Sequence, residues 1–332
     1  MKKIFFSSFG AAFTIIGSVI GAGFITGKEI SVFFCKDFSV SGLYASFVFF
    51  FLFIFALSVS RGGVVEKIVG YAVALTGIII ASCMTAALNS LFKSIFRETE
   101  NFKIFTIITV FFAVIVCIKG VGAMNAVSMA VMPFVLVFIV VLSLVSAGDL
   151  SVKISPQGKD GLVFPLLYVG INCLLSSKVI VDSTKGLTMR KKLVCAFFVS
   201  FSLCLCIFFI GVRVCGKEGE MPFLSALGDN VICLKIAVVI TFFSIFTTLV
   251  ASVYSAFTLA KGKTSVLQKI IITLVFLMFS RFGFSEFVEK VYPVLGVIGV
   301  IYFVSVSSEI FLTRRRARTL LRQECRVLPS KP

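Results

Sequence analysis

The sequence contains no histidine and no tryptophan among its 332 residues, and only 15 Asp and Glu against 32 Lys and Arg. Without histidine there is no imidazole to complete a metal site or to serve a metalloprotease pattern. No GxSxG or HExxH motif occurs, no carboxylate pair falls in the middle of an apolar segment, and no phosphate-binding loop is present. These absences argue against an enzyme and against an ATP-driven pump, and no cofactor or metal is expected beyond a coupling ion. The ten cysteines are scattered, mostly inside apolar segments, with no CxxC pair. They are expected to be small buried hydrophobes. Cys215 and Cys233 flank one expected loop and are the pair to test for a disulfide.

Apolar surface is what the chain has in excess. It is 59% hydrophobic with 40 Phe, and its mean hydropathy is +1.11. Runs of membrane-spanning length recur from end to end, which makes it an all-α integral membrane protein. About ten segments are read as spans, most of them at or above the ~20 residues a bilayer requires. They are Ile4–Phe34, Gly42–Ser60, Ile68–Phe92, Ile104–Ile118, Ala126–Ala147, Gly161–Val181, Leu193–Val214, Val231–Ala260, Ile270–Phe284 and Val291–Leu312. Lys2 and Lys3 precede the first run as in a signal peptide, but the run continues well past a signal-peptide core and is read as a retained helix.

With the N-terminus cytoplasmic and the segments alternating, roughly 20 basic residues fall on the cytoplasmic side and roughly 11 opposite. The acids divide roughly 4 to 10 the other way, so both termini are expected in the cytoplasm of a cell-membrane protein. The net charge of +17 then reflects topology. The tail at 314–332, with Arg314, Arg315, Arg316, Arg318, Arg322 and Arg326, is expected to lie beside anionic lipid. No aromatics interleave its arginines, so no nucleic-acid role is expected.

Residues 1–313 form one transmembrane domain whose two halves, about 4–147 and 161–312, flank a polar linker at Gly148–Asp160. Five segments per half is odd, so the halves must be inserted as an inverted repeat. Each half opens on an interrupted segment. The first contains Gly17, Gly21, Gly23 and Gly27 and ends on Lys28-Glu29; the sixth contains Pro165 and Gly170. Glycine costs a helix interior about 1 kcal/mol relative to alanine. Glycine- or proline-broken segments at matching places in two inverted halves point to a transporter's binding site. Segments 1 and 6 are therefore both expected to be discontinuous.

The stretch Ile20-Gly21-Ala22-Gly23-Phe24-Ile25-Thr26-Gly27-Lys28-Glu29-Ile30, followed by Phe33-Phe34, resembles the first-helix signature of the bacterial YkvI family, with Lys28 where that family usually has Gln. The family is similar to the amino acid–polyamine–organocation (APC) superfamily, and the resemblance implies the LeuT-like five-plus-five inverted fold. Length, segment count and Tyr168-Val169-Gly170-Ile171-Asn172 agree with it. A spore-germination permease family shares the architecture.

The unpaired N–H groups of a broken helix suit an anionic head group. The expected substrate site is Gly21, Ala22 and Gly23 with Gly170, together with Asn172 as a side-chain partner and Tyr168 or Phe24 as a cover. Close packing of small residues is the alternative for the glycines. Ser82, Thr85 and Asn89 share one face of segment 3; they either line the same pathway or hydrogen-bond between helices. Ser244-Ile245-Phe246-Thr247-Thr248 resembles the eighth-helix element of sodium-coupled LeuT-fold transporters. The resemblance implies Na⁺ ligands at the Thr247 and Thr248 hydroxyls and at the Ser244, Gly17 and Ile20 carbonyls. A second sodium position of those transporters uses an Asn in the first helix where this chain has Phe24. Lys28 and Glu29 are charges inside a span, and such residues default to function. Glu29 is the candidate for proton coupling or an outer gate, unless both face the outer interface.

These features together lead us to expect a Na⁺- or H⁺-coupled secondary transporter (a symporter) of a small organic solute, working by alternating access, with amino acid transport implied by the resemblance. The alternative is a nutrient or germinant receptor, or an accessory subunit, that binds through the same pocket without moving solute.

Overall fold

A computed structural model describes residues 2–36, 38–60, 64–96, 102–145, 162–217, 219, 221–227, 231–260 and 265–327. The Gly148–Asp160 linker and Arg61-Gly62-Gly63 lie outside the described residues, as do the tail side chains from Arg314 onward. Every regular element among those described is helical. The first half runs α1 (Lys2–Val19), α2 (Ala22–Ile25), α3 (Lys28–Phe34), α4 (Val40–Val59), α5 (Val64–Phe96), α6 (Phe102–Ile118) and α7 (Val121–Val145). The second runs α8 (Val163–Thr184), α9 (Met189–Val214), α10 (Pro222–Ala226), α11 (Val231–Ala256), α12 (Ser265–Phe279), α13 (Phe284–Glu286) and α14 (Tyr292–Val327).

Seven of these helices are long and apolar enough to cross a membrane, and α1, α6 and α12 add shorter apolar helices. Segment 1 is α1–α3, segments 2 to 7 are α4 to α9, segments 8 and 9 are α11 and α12, and segment 10 is α13–α14. The helices lack a polar outer face, as expected when the outside solvent is lipid. Ile104, Ile107, Phe111 and Phe112 of α6 and Leu267, Ile271, Leu274 and Met278 of α12 are all exposed. The protein is a multi-pass membrane protein.

Helix contacts reveal the repeat that the sequence hides. α1 packs on α7 as α8 packs on α14; α4 packs on α8 as α9 packs on α1; α6 packs on α11 as α12 packs on α5. The pairs α5–α11 and α4–α9 pack on each other across the same exchange. Each of these contacts maps onto another of them, or onto itself, when segments 1 to 5 are exchanged for 6 to 10. That is the signature of an inverted repeat.

Segment 6 departs from expectation. α8 runs unbroken from Val163 to Thr184. Pro165 falls in its first turn, where an N–H has no intrahelical partner to lose. Gly170 is a packing glycine: a Cβ there would lie 2.6 Å from the Gly296 carbonyl oxygen of α14. Among the described residues, of the two segments expected to be broken, segment 1 is discontinuous and segment 6 is not.

Smaller shifts have local causes. α7 begins five residues before Ala126, because Gly120 takes φ +82 and reverses the chain directly after α6. Segment 9 stops at Phe279, and segment 10 starts at Phe284 with a π turn at Phe287–Val291. The last helix continues to Val327, so the boundary at 313 is no break in the backbone.

Candidate functional site

Segment 1 is broken twice. α1 ends at Val19 and Gly21 is extended (φ −103, ψ −163), with its N–H turned back to the Val19 carbonyl at 2.9 Å. The N–H groups of Ala22, Gly23 and Phe24 reach no carbonyl of the preceding turn. The second break is at Thr26-Gly27, where Gly27 adopts φ +78, a conformation that is costly with a side chain. Residues 20–27 are all buried. α2 packs on α11, and α3 packs on α8 and α9, so both breaks lie within the bundle.

The Lys28-Glu29 pair divides at this point. Lys28 Nζ reaches away to Glu289 Oε1 at 2.6 Å and to the Gly219 carbonyl at 3.3 Å. Glu29 turns inward and is 3% exposed. Its carboxylate folds back over Gly23, where an added Cβ would stand 2.2 Å from Oε1 and 2.6 Å from Cγ. Only glycine leaves room for it. The helix break that the sequence offers to an anionic head group is thus partly covered by the protein's own acid.

Tyr168 stands opposite. Its hydroxyl interacts with the Glu29 carboxyl, but neither that hydroxyl nor Glu29 Oε2, both buried, reaches a partner at full hydrogen-bond geometry. Phe33, Phe34 and Phe50 surround the Tyr168 ring at centroid distances of 5.5, 5.1 and 6.1 Å. Cys83 and Tyr292 complete the polar surroundings, their side chains 3.7 Å apart. Sequence reading missed both, because a cysteine and a tyrosine in apolar helices carry no local signal. Asn172 Nδ2 donates to the Tyr168 carbonyl of its own helix at 2.9 Å. Phe24 is fully buried beside the break.

Two of the expected cation ligands meet across helices. Thr248 Oγ1 donates to the Gly17 carbonyl at 3.0 Å, joining α11 to the end of α1. Thr247 Oγ1 donates to the Ser244 carbonyl at 3.0 Å, and the buried Ser244 hydroxyl has no partner. The Ile20 carbonyl is not claimed by the Phe24 N–H. Ser128 of α7 adds a further hydroxyl, 3.3 Å from where a Cβ on Gly17 would sit.

The polar groups of the segment 3 stripe are bonded locally or to α6. The hydroxyls of Ser82 and Thr85 bond to the Ile78 and Ala81 carbonyls of their own helix, and Asn89 Oδ1 accepts from Thr106 of α6 at 2.8 Å. None of the three is joined to the break.

Contacts stand at both ends of the bundle. Beyond the second break, the freed Thr26 carbonyl accepts the Phe223 N–H of α10 at 2.8 Å. Cys35, just after α3, is disulfide-bonded to Cys215 at the end of α9. Cys215 therefore does not pair with Cys233: the return of α9 to α3 decides the partner, and sequence proximity does not. At the other end of the bundle, Tyr254 donates to Asp182 at 2.6 Å, and Lys178 pairs with the same carboxylate at 3.0 Å.

No family model matches the chain, and no curated protein matches it. Among solved structures it resembles Mhp1, a nucleobase-cation-symport-1 family transporter, in a closed conformation with bromovinylhydantoin bound. The two are 16% identical with a TM-score of 0.61, over 93% of this chain and 79% of that one. The inward-facing conformation of Mhp1 is matched at TM-score 0.56 and 16% identity, over 94% and 77% of the two chains. At this identity the likeness shows the fold, and with the exchange of packing partners between the halves it identifies the architecture as the five-plus-five, LeuT-like inverted repeat.

Proposed function

We propose that the chain is a secondary transporter that couples Na⁺ or H⁺ to the movement of a small organic solute by alternating access. An amino acid or a related compound is the leading solute class. The observation that carries this reading is the doubly broken segment 1, whose unpaired amides and freed carbonyls are buried at the meeting of α8, α9 and α11. Irregular backbone at membrane depth is tolerated only where protein buries it or a polar cavity needs it. Broken helices at a repeat interface are where secondary transporters hold substrate and ion.

In this reading the Gly17, Ile20 and Ser244 carbonyls and the Thr247 and Thr248 hydroxyls form a hard-oxygen set for Na⁺. Proton coupling rests on Glu29. Contacts that can open stand at either end of the site: Lys28–Glu289 and Thr26–Phe223 at one, Tyr254–Asp182 at the other. The resemblance to Mhp1, a cation symporter by its family name, agrees with coupling to an ion.

Disulfides persist in oxidising compartments. The Cys35–Cys215 end is therefore taken as the outer one, in agreement with the distribution of basic residues, and both termini as cytoplasmic in the cell membrane. The first-segment motif favours a YkvI-like member of the amino acid–polyamine–organocation superfamily. The partners are the solute and the lipid bilayer.

The test is uptake of labelled amino acids into proteoliposomes under a Na⁺ gradient, a pH gradient or neither. Uptake driven by Na⁺ and lost in Thr248→Ala is the expected result for sodium coupling. Uptake driven by pH and lost in Glu29→Gln is expected for protons. Binding without flux under either gradient refutes transport and leaves the receptor or accessory-subunit reading.

A further inference from the structure

We propose that Glu29 is the anchor for a protonated amine on the solute, which its Oε2 and the Tyr168 hydroxyl hold together inside the helix break. The inference rests on reading that break as the solute site.

Four observations carry it. First, Glu29 is a carboxylate without a counter-ion. Lys28, its neighbour in sequence, is turned away to Glu289, and Lys178 is paired with Asp182 near the far end of α8. Among the described residues no basic side chain forms an ion pair with Glu29. The titratable groups that interact electrostatically with it are Tyr168 on α8, Cys83 on α5 and Tyr292 on α14, and Cys206 of α9 interacts in turn with Tyr168. None of these supplies a positive charge; an unpaired buried carboxyl stays protonated, and a bound ammonium is the partner that would hold it as a carboxylate.

Second, the Glu29 carboxyl and the Tyr168 hydroxyl interact across two helices, yet Glu29 Oε2 and Tyr168 Oη are both buried without a partner at full hydrogen-bond geometry. Buried polar atoms are nearly always satisfied, so an unsatisfied pair points to a group that is bound there. An ammonium has three N–H donors and no acceptor, which suits an acceptor-rich niche. Tyr292, whose hydroxyl meets the Cys83 sulfur at 3.7 Å, also interacts electrostatically with Glu29.

Third, the position is built into the backbone. Gly23 is the residue whose missing side chain admits the carboxylate, so the acid is seated in the break by design of the chain and is not a stray rotamer at its edge. Fourth, the acid changes which end of a zwitterion fits. An anionic group brought to the amides near Gly23 would meet the Glu29 carboxylate, whereas an ammonium meets an opposite charge. The rings of Phe33, Phe34 and Phe50 around Tyr168 are compatible with a cation bearing a short apolar body.

The experiment measures thermal stability of the purified full chain with butylamine and phenethylamine hydrochlorides, and with butyrate and 1-butanol as matched controls. The amines are expected to stabilise the wild type and the controls are not. Glu29→Gln is expected to weaken amine binding by at least ~10-fold, since a hydrogen-bonded charge is lost, and Tyr168→Phe by less. Glu29→Asp keeps the charge but withdraws it from Tyr168, and serves if the Gln variant does not fold; weaker amine binding at unchanged ligand-free stability is expected. Absence of an amine-dependent shift in the wild type overturns the proposal, as does equal stabilisation by butyrate or full retention of the shift in the Glu29 variants. Proteoliposome flux separates this from the transport reading. Amine binding without flux keeps the site and refutes transport; flux of a carboxylate solute without amine binding does the reverse.

Discussion

Replacing Gly23 by alanine is the sharpest test of the geometry at the break, because two principles predict opposite signs. Gly23 lies in the helical turn Ala22–Ile25, so propensity alone favours alanine by up to about 1 kcal/mol. The structure opposes this. The new Cβ would stand 2.2, 2.6 and 2.7 Å from Glu29 Oε1, Cγ and Cδ, and the carboxylate must leave its niche. Forcing a methyl group into a filled site costs about 1–3 kcal/mol. Gly23→Ala is therefore expected to destabilise the wild type by about 1–2 kcal/mol. In a Glu29→Ala background the obstacle is gone and the same change is expected to be neutral or stabilising. The interaction term in the double-mutant cycle should reach about 1–3 kcal/mol. The chain has no tryptophan, but Cys83, Cys117, Cys173, Cys195 and Cys206 are buried. A thiol-reactive dye added during a thermal ramp thus reports unfolding. If Gly23→Ala destabilises equally with and without the Glu29 side chain, or stabilises the wild type, the carboxylate does not occupy this position.

Thr248→Ala is expected to cost about 0.6–1.7 kcal/mol in ligand-free stability, the range for hydrogen bonds between membrane helices. It is also expected to abolish any stabilisation by Na⁺ over K⁺, read on the same thermal ramp; Thr248→Ser retains both. Cys35→Ser opens a covalent link between residues 180 apart and is expected to cost about 2–4 kcal/mol. Reductant should lower the wild-type unfolding temperature and leave that of the variant unchanged. Glu289→Gln removes a partner that is 49% exposed, so its effect on stability is at most about 1 kcal/mol and fades with salt. Its larger expected effect is faster labelling of a cysteine introduced at Ile25, since the Lys28 contact holds segment 1 against segment 10.

Much of the architecture was legible in local chemistry. Apolar length defined the spans, because a bilayer accepts backbone only when its polar groups are satisfied within the helix. Clustered glycines located the break in segment 1 for the same reason. The glycine and proline signals of segment 6 pointed the wrong way. Pro165 falls where a helix tolerates it, and Gly170 is required by the Gly296 backbone of a helix more than a hundred residues later. A glycine that opens a helix and one that admits a neighbour look identical in sequence.

Sequence by itself determined the membrane class, the order of spans, the first break and the charge bias of the loops. Each of these follows from interactions within one segment or between a segment and its solvent. Only the tertiary structure decided that α8 is continuous, that Cys35 and not Cys233 meets Cys215, and that Lys28 and Glu29 face opposite ways. It alone brought Tyr168, Cys83 and Tyr292 around the Glu29 carboxylate. Those outcomes depend on contacts between helices far apart in the chain, and the packing of ten apolar helices sets them through shape and close approach rather than through any local pattern.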